Sequence, residues 1–104
     1  TLSTKEYSSE NEDQLRAKEA LSFTNKDESF QIGLWEAEVG QVPAAWTYDE
    51  FMHVLKGRIE MTDSSGSTLV IGPNEGVIVP TDWEGVFSVQ ESVVKIWVIY
   101  DNSN

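Results

Sequence analysis

Residues 50–57 read EFMHVLKG, and a little further along the chain residues 72–80 read GPNEGVIVP. A strand has a side-chain period of two, so the first segment would place Glu50 on the same face as Met52 and Val54. A glycine closes the first segment and a glycine-proline pair opens the second, and both are turn-forming. The two segments therefore predict a strand that turns a carboxylate toward an apolar interior, followed by a second strand entered from a tight turn.

The chain beyond residue 30 has the pattern of a small all-β domain. Phe30, Ile32 and Leu34 alternate with polar or small residues, and residues 63–66 (DSSG) have the composition of a hairpin turn. Further strands are expected at residues 46–55, with a break at Gly57, and at residues 58–62, 68–71, 77–79, 86–89 and 93–100. Seven or eight short strands at close spacing predict a β-sandwich or barrel.

Residues 1–29 are not expected to form strands like the rest of the chain. Residues 13–21 (DQLRAKEAL) are predicted to form a short helical turn, with Leu15 and Leu21 on one face. We therefore divide the chain into an arm at residues 1–29, partly helical or irregular, and a main domain at residues 30–104.

Composition excludes several classes of function. The 104 residues carry 18 acidic side chains against 7 Lys and Arg, a net charge of -11, so a nucleic-acid partner would be repelled. The absence of cysteine excludes a disulfide scaffold and thiol catalysis, and it fits a cytoplasmic protein. No apolar run approaches the length of a membrane span, so no membrane partner is expected.

The quoted segments resemble the two motifs of the cupin family. Glu50 and Gly57 stand at the spacing of the first motif's glutamate and glycine, and residues 71–80 resemble the turn that opens the second. The resemblance implies a jelly-roll β-barrel. The metal-binding histidines are missing, since residues 43–46 read PAAW and Gly85 stands near the position of the third histidine. Glu50 is thus the only matching metal-ligand position. We expect no cofactor; a divalent metal stays open as the alternative, although this ligand set does not support one.

Such losses are typical of small cupins similar to (S)-ureidoglycine aminohydrolase and to the ethanolamine-utilisation cupin. In that branch a Leu-x-Gly-Arg segment follows the glutamate, and a lysine opens the last strand. Residues 55–59 (LKGRI) and 94–97 (VKIW) fit both features.

Glu50 and Lys95 are the candidate catalytic groups. A carboxylate among apolar residues must be paired, hydrogen-bonded or protonated, because burying an isolated charge is costly. If Lys95 points inward, it could pair with Glu50 or, with a lowered pKa, act as a base or imine former. If it points outward, its stem lies on apolar surface.

A ligand pocket is predicted around the same row of side chains. Its candidate ligand-binding residues are Trp46, Tyr48, Glu50, Met52 and Trp97, with ordinary core packing as the alternative for the aromatic ones. His53, the only histidine, has the opposite parity and should face outward, where one histidine alone makes a poor metal site.

Three functions remain open at this point. The first is a small-molecule-binding module, the second an enzyme resembling ureidoglycine aminohydrolase that hydrolyses a C–N bond, and the third a structural or assembly module with a filled barrel. We favour the first, which implies a small-molecule ligand. A homodimer is also expected, because cupins commonly dimerise and Phe51, His53 and Leu55 form an outward row that needs covering.

Overall fold

The computed structural model describes residues 3–7 and 15–101, which form antiparallel β-structure without a helix. The strands are β1 (Ser3–Tyr7), β2 (Ala17–Thr24), β3 (Phe30–Ala37), β4 (Gly40–Ala45), β5 (Asp49–Asp63), β6 (Thr68–Ile71), β7 (Gly76–Val79) and β8 (Glu84–Tyr100). They are ordered β1-β2-β3-β8-β5-β6, with β4 paired to β8 and β7 to β5. The predicted all-β jelly roll is confirmed. Within those ranges no helix could cross a membrane.

The two long strands β5 and β8 hold the fold together because each takes part in two layers. The second half of β8 lies between β3 and the first half of β5, whereas its first half lies between β4 and the second half of β5. Register shifts between Val54 and Ile59 separate the two halves. The core between the layers consists of Ala37, Met52, Val54, Ile59, Met61, Ile71, Val79, Phe87, Val89 and Val93.

Gly57 lies at the irregularity in β5 and explains how one strand can serve both layers. Its φ of 90° belongs to the left-handed region, and a Cβ there would lie 2.2 Å from the carbonyl oxygen of Ser92. The predicted break at Gly57 is therefore wrong, since β5 continues through the glycine to Asp63. Likewise, the two strands expected at residues 86–89 and 93–100 form the single strand β8.

The helical turn predicted at residues 13–21 is also wrong for the part that the structure describes. Residues 17–21 belong to β2, which runs antiparallel to β3 with Ala17 opposite Ala37 and Thr24 opposite Gln31. Residues 13 and 14 lie outside the described residues. The exposed backbone of β3 offers hydrogen bonds along a whole strand, and such tertiary pairing overrides a weak helical preference.

The hairpin predicted at residues 63–66 is confirmed. The Asp63 carboxylate accepts hydrogen bonds from the Ser65 hydroxyl at 2.7 Å and from the backbone N–H groups of Ser65 and Ser67 at 3.0 and 2.9 Å. These bonds, the one from the Ser65 hydroxyl foremost, lower the pKa of Asp63 from its ordinary 3.8. Gly66 completes the turn with a φ of 93°.

An apolar row crosses five strands on the outer face of the layer that contains β2, β3 and β7. Phe23, Ile32, Val98, Phe51 and Ile78 lie side by side on β2, β3, β8, β5 and β7, and we call them the outer apolar row. Ile78 is 69% exposed, Phe23 50% and Phe51 40%. The alternation of apolar residues in β3 thus marks its outer face. The outward parity predicted for Phe51 is confirmed.

Candidate functional site

Glu50 lies near the start of β5, between Val79 of β7 and Ile99 of β8, and points into the interior. Its residue is 6% exposed. One carboxylate oxygen, Oε2, accepts a hydrogen bond from Lys95 Nζ at 2.9 Å, and Oε1 accepts one from Trp46 Nε1 at 3.0 Å. Both oxygens therefore have partners, which offsets the cost of burying this charge.

Lys95 lies on β8 and also points inward, which settles the orientation left open by the sequence. It is 5% exposed, and its Nζ lies 3.7 Å from Met52 Sδ, in addition to the contact with Glu50. The same nitrogen lies 4.8 Å from the ring centroid of Trp35 and 5.3 Å from that of Phe87. Burial lowers the pKa of Lys95, against the opposing charge and hydrogen bond of Glu50.

Trp46 reaches Glu50 from a loop. The sequence predicted a strand from residue 46, but β5 begins at Asp49. The loop is held by two backbone hydrogen bonds, from Trp46 N to Trp83 O at 2.9 Å and from Asp82 N to Trp46 O at 2.8 Å. The rings of Trp46 and Trp83 pack edge to face, with centroids 5.5 Å apart. These contacts fix the indole with its N–H directed at the carboxylate.

These side chains border a cavity of about 480 Å³, a volume within the range of small-molecule sites. Its lining consists of Leu15, Ala17, Glu19, Gln31, Trp35, Val42, Pro43, Ala44, Trp46, Tyr48, Glu50, Phe87, Lys95, Trp97 and Ile99. All but one of the predicted site residues are among them. The exception is Met52, which is fully buried beneath Lys95 and contributes only the contact of its sulfur.

The cavity combines aromatic walls with a small excess of negative charge. Trp35 and Phe87 meet edge to face with centroids 5.7 Å apart, and Trp46 lies 5.9 Å from Phe87. Glu19 of β2 and Glu50 face a single lysine, so the lining carries one formal negative charge. Such a site suits a planar or amphiphilic molecule with one polar end, and it disfavours an anion.

Among the lining residues that were not predicted, Glu19, Trp35 and Phe87 contribute most to the charge and the aromatic walls of the cavity. Trp35 lies opposite Lys95 across the β3–β8 pair, and Glu19 lies opposite Trp35 across the β2–β3 pair. The register between neighbouring strands brings Glu19, Trp35 and Lys95 together. The sequence of one strand does not reveal which residues of another strand lie opposite it. The alternation of side chains within β3 could have indicated that Trp35 points inward, because its neighbours Leu34 and Glu36 point outward.

The residues present do not fit the divalent metal that many cupins bind. Within residues 15–101, no group of three or more His, Cys, Asp or Glu side chains could hold a metal ion. A histidine cannot replace Gly85 without rearrangement, because a Cβ there would lie 2.1 Å from the carbonyl oxygen of Thr62. Moreover, the Lys95 ammonium already lies against the one matching carboxylate, where a second cation would be repelled.

Solved structures with the same fold come from several bacteria. A Salmonella typhimurium protein described as an ethanolamine utilization protein Q is 17% identical, with a TM-score of 0.77 over 96% of this chain and 95% of that one. The Clostridium difficile EutQ protein is 21% identical, with a TM-score of 0.74 over 86% of this chain and 65% of that one. A DUF861 family protein of Thermotoga maritima is 27% identical, with a TM-score of 0.63 over 64% of this chain and 76% of that one.

No functionally curated protein matches the chain in sequence. The family model of the EutQ-like cupin domain matches residues 24–97, which include β3 to β7, most of β8 and every predicted site residue. The chain therefore belongs to the EutQ-like cupin domain family.

Proposed function

We propose that this protein is a cupin that binds a small molecule without a metal ion, in the cavity between its two layers. One observation carries the proposal: an aromatic-walled cavity of about 480 Å³ is bordered by the buried Glu50–Lys95 pair. A filled barrel would have favoured a purely structural module. Apolar walls with a few convergent polar groups are the usual composition of a ligand site.

The ligand has a flat or apolar body and one polar end. The rings of Trp35, Trp46 and Phe87 would contact the body, and the polar end would meet Glu50 and Lys95. Relatives named for ethanolamine utilization support a role in the metabolism of small amines or amino acids, as a sensor or accessory protein. The lack of cysteine supports a cytoplasmic location.

Cleavage of a C–N bond, the reaction of ureidoglycine aminohydrolase, is the second candidate. It is favoured by the position of Glu50, which matches the family's carboxylate. It requires replacement metal ligands, and the described cavity lining offers two carboxylates, Glu19 and Glu50, with only neutral oxygen donors besides, which are those of Gln31 and Tyr48. An activity of the wild-type protein that is lost on chelation, returns with added metal and is absent from Glu50→Gln would place this reaction first.

A ligand screen on chelator-treated protein tests the binding proposal. Thermal shift with a library of small planar amines, amides, alcohols and carbonyl compounds should identify compounds that stabilise the fold, because a ligand that binds only the native state raises its stability. Ala44→Phe is the informative variant, since Ala44 lines the cavity and a phenyl ring there would fill part of it while Glu50 and Lys95 themselves stay unchanged. Val70→Ser, on the exposed edge strand β6, is the matched control. Stabilisation by a compound that is unaffected by Ala44→Phe would place its binding elsewhere.

We further propose that a second copy of the chain covers the outer apolar row. The row crosses five strands without a charged member, which supports burial against another surface. Each copy carries a net charge of -11, so salt should strengthen the association by screening their repulsion. Sedimentation velocity should show a dimer whose population rises with salt and falls in Phe51→Glu. A monomer at every salt concentration would contradict this.

A further inference from the structure

The Lys95 amine lies at the wall of the cavity, a position that an ion pair with Glu50 alone would not require. Its nitrogen is held at the cavity wall by Glu50 at 2.9 Å and lies over the rings of Trp35 and Phe87. A purely structural ion pair could lie anywhere in the core. Here a primary amine borders a ligand-sized space, and the carboxylate that accepts its hydrogen bond borders the same space.

We propose that the Lys95 amine forms an imine with a small carbonyl compound bound in the cavity, and that Glu50 transfers the protons. This inference rests on the proposed function, because the carbonyl compound must first occupy the cavity. It deepens that function by naming the polar end of the ligand as an aldehyde or ketone.

The geometry supplies what each step of imine formation needs. Glu50 Oε2 accepts one proton from the Lys95 ammonium and frees the nitrogen lone pair, a transfer favoured by burial of the pair. The lone pair attacks the carbonyl carbon, a C–N bond forms, and the π electrons move to the oxygen, which takes the proton back from Glu50. The nitrogen then gives its second proton to Glu50, which passes it to the hydroxyl as that group leaves as water. The ammonium and the carbonyl compound thus give a protonated imine, which keeps the Glu50 carboxylate as its counter-charge, and one water molecule, with no oxidant or reductant.

The lining also selects among carbonyl compounds. Aromatic walls favour a planar aldehyde, and the side chains of Glu19 and Glu50 disfavour one that carries a carboxylate. Benzaldehyde and 4-carboxybenzaldehyde form a matched pair of probes, because they share the ring and the aldehyde and differ in charge.

The experiment traps the imine on the wild-type protein. Benzaldehyde and cyanoborohydride are added at neutral pH, and peptide mapping by mass spectrometry gives the rate of benzyl addition at each lysine. Lys56, an exposed lysine on β5, is the internal control. Lys95 should be labelled faster than Lys56, because the cavity holds the aldehyde beside the Lys95 amine and burial lowers the pKa of that amine. The same preference should disappear with 4-carboxybenzaldehyde and in Ala44→Phe.

A separate titration distinguishes failure of this inference from failure of the proposed function. Benzyl alcohol has the same ring and no carbonyl, and its binding is followed by tryptophan fluorescence. Labelling of Lys95 no faster than Lys56 overturns the imine proposal, whether or not the alcohol binds. If the alcohol binds saturably in that case, cavity binding stands alone. If it also fails to bind, this ligand class is excluded from the cavity.

Discussion

Replacement of Glu50 by Gln should destabilise the protein strongly, because it leaves the Lys95 ammonium buried without its counter-charge. The two residues are 6% and 5% exposed, and the atoms that join them are 2.9 Å apart. Removal of one partner from such a pair costs about 3–5 kcal/mol, against a total stability of about 5–15 kcal/mol for a small domain. A loss of about 3 kcal/mol would lower the midpoint of urea unfolding by about 1–3 M.

The loss in Glu50→Gln should also depend on pH. Without the charge and hydrogen bond of Glu50, burial lowers the pKa of Lys95 further below its ordinary value of 10.5. Between the folded and unfolded pKa values the unfolded chain binds more protons, so stability rises with pH in that interval. The difference between variant and wild type should therefore shrink as the pH rises toward 10.5.

A double-mutant cycle and a surface control complete this test. Glu50→Gln with Lys95→Met should be about 1–3 kcal/mol more stable than the sum of the two single effects predicts, because the pair is removed together. Glu91→Gln breaks the pair between Arg58 and Glu91, whose side chains are 50% and 57% exposed, and should cost less than about 1 kcal/mol. If Glu50→Gln costs no more than Glu91→Gln at any pH, the reasoning about a buried charge is refuted.

Two further predictions concern the backbone and a turn. Gly57→Ala and Gly66→Ala both place a side chain at positive φ, but a Cβ meets the Ser92 carbonyl oxygen only at Gly57. Gly66→Ala should cost about 1–2 kcal/mol and Gly57→Ala clearly more in urea unfolding, and equal losses would contradict the steric argument. Asp63→Asn should lower the melting temperature at neutral pH. The difference should vanish as the pH falls through the lowered pKa of Asp63, below 3.8, and a constant difference would exclude a role for the ionised carboxylate.

Local patterns in the sequence were sufficient to predict the all-β class of the main domain, and the resemblance to the cupin motifs added the jelly roll. The parity of residues 50–54 put Glu50 inside and Phe51 outside, and the DSSG segment predicted the hairpin at Asp63. Parity in a strand depends only on neighbours along the chain, and a turn of this kind is built from its own residues. Both could therefore be predicted without knowledge of tertiary contacts.

Features that depend on pairing between distant segments were not predictable. Residues 17–21 carry no strong strand signal, and they become a strand because β3 offers an unpaired edge. Glu19 and Trp35 join the cavity through the register of β2, β3 and β8, which is a property of the assembled sheet. The pairing of Lys95 with Glu50, 45 residues apart, could be considered only as one of two orientations.

The most direct test of the proposed function is a fluorescence titration of chelator-treated protein with the compounds that the thermal-shift screen selects. We expect that at least one compound binds saturably with one site per chain, without added metal, and that Ala44→Phe abolishes this binding. Saturable binding that appears only after addition of Mn, Fe, Zn or Ni salts, and that is lost in Glu50→Gln, would contradict metal-free binding. It would show that the cavity is a metal centre after all.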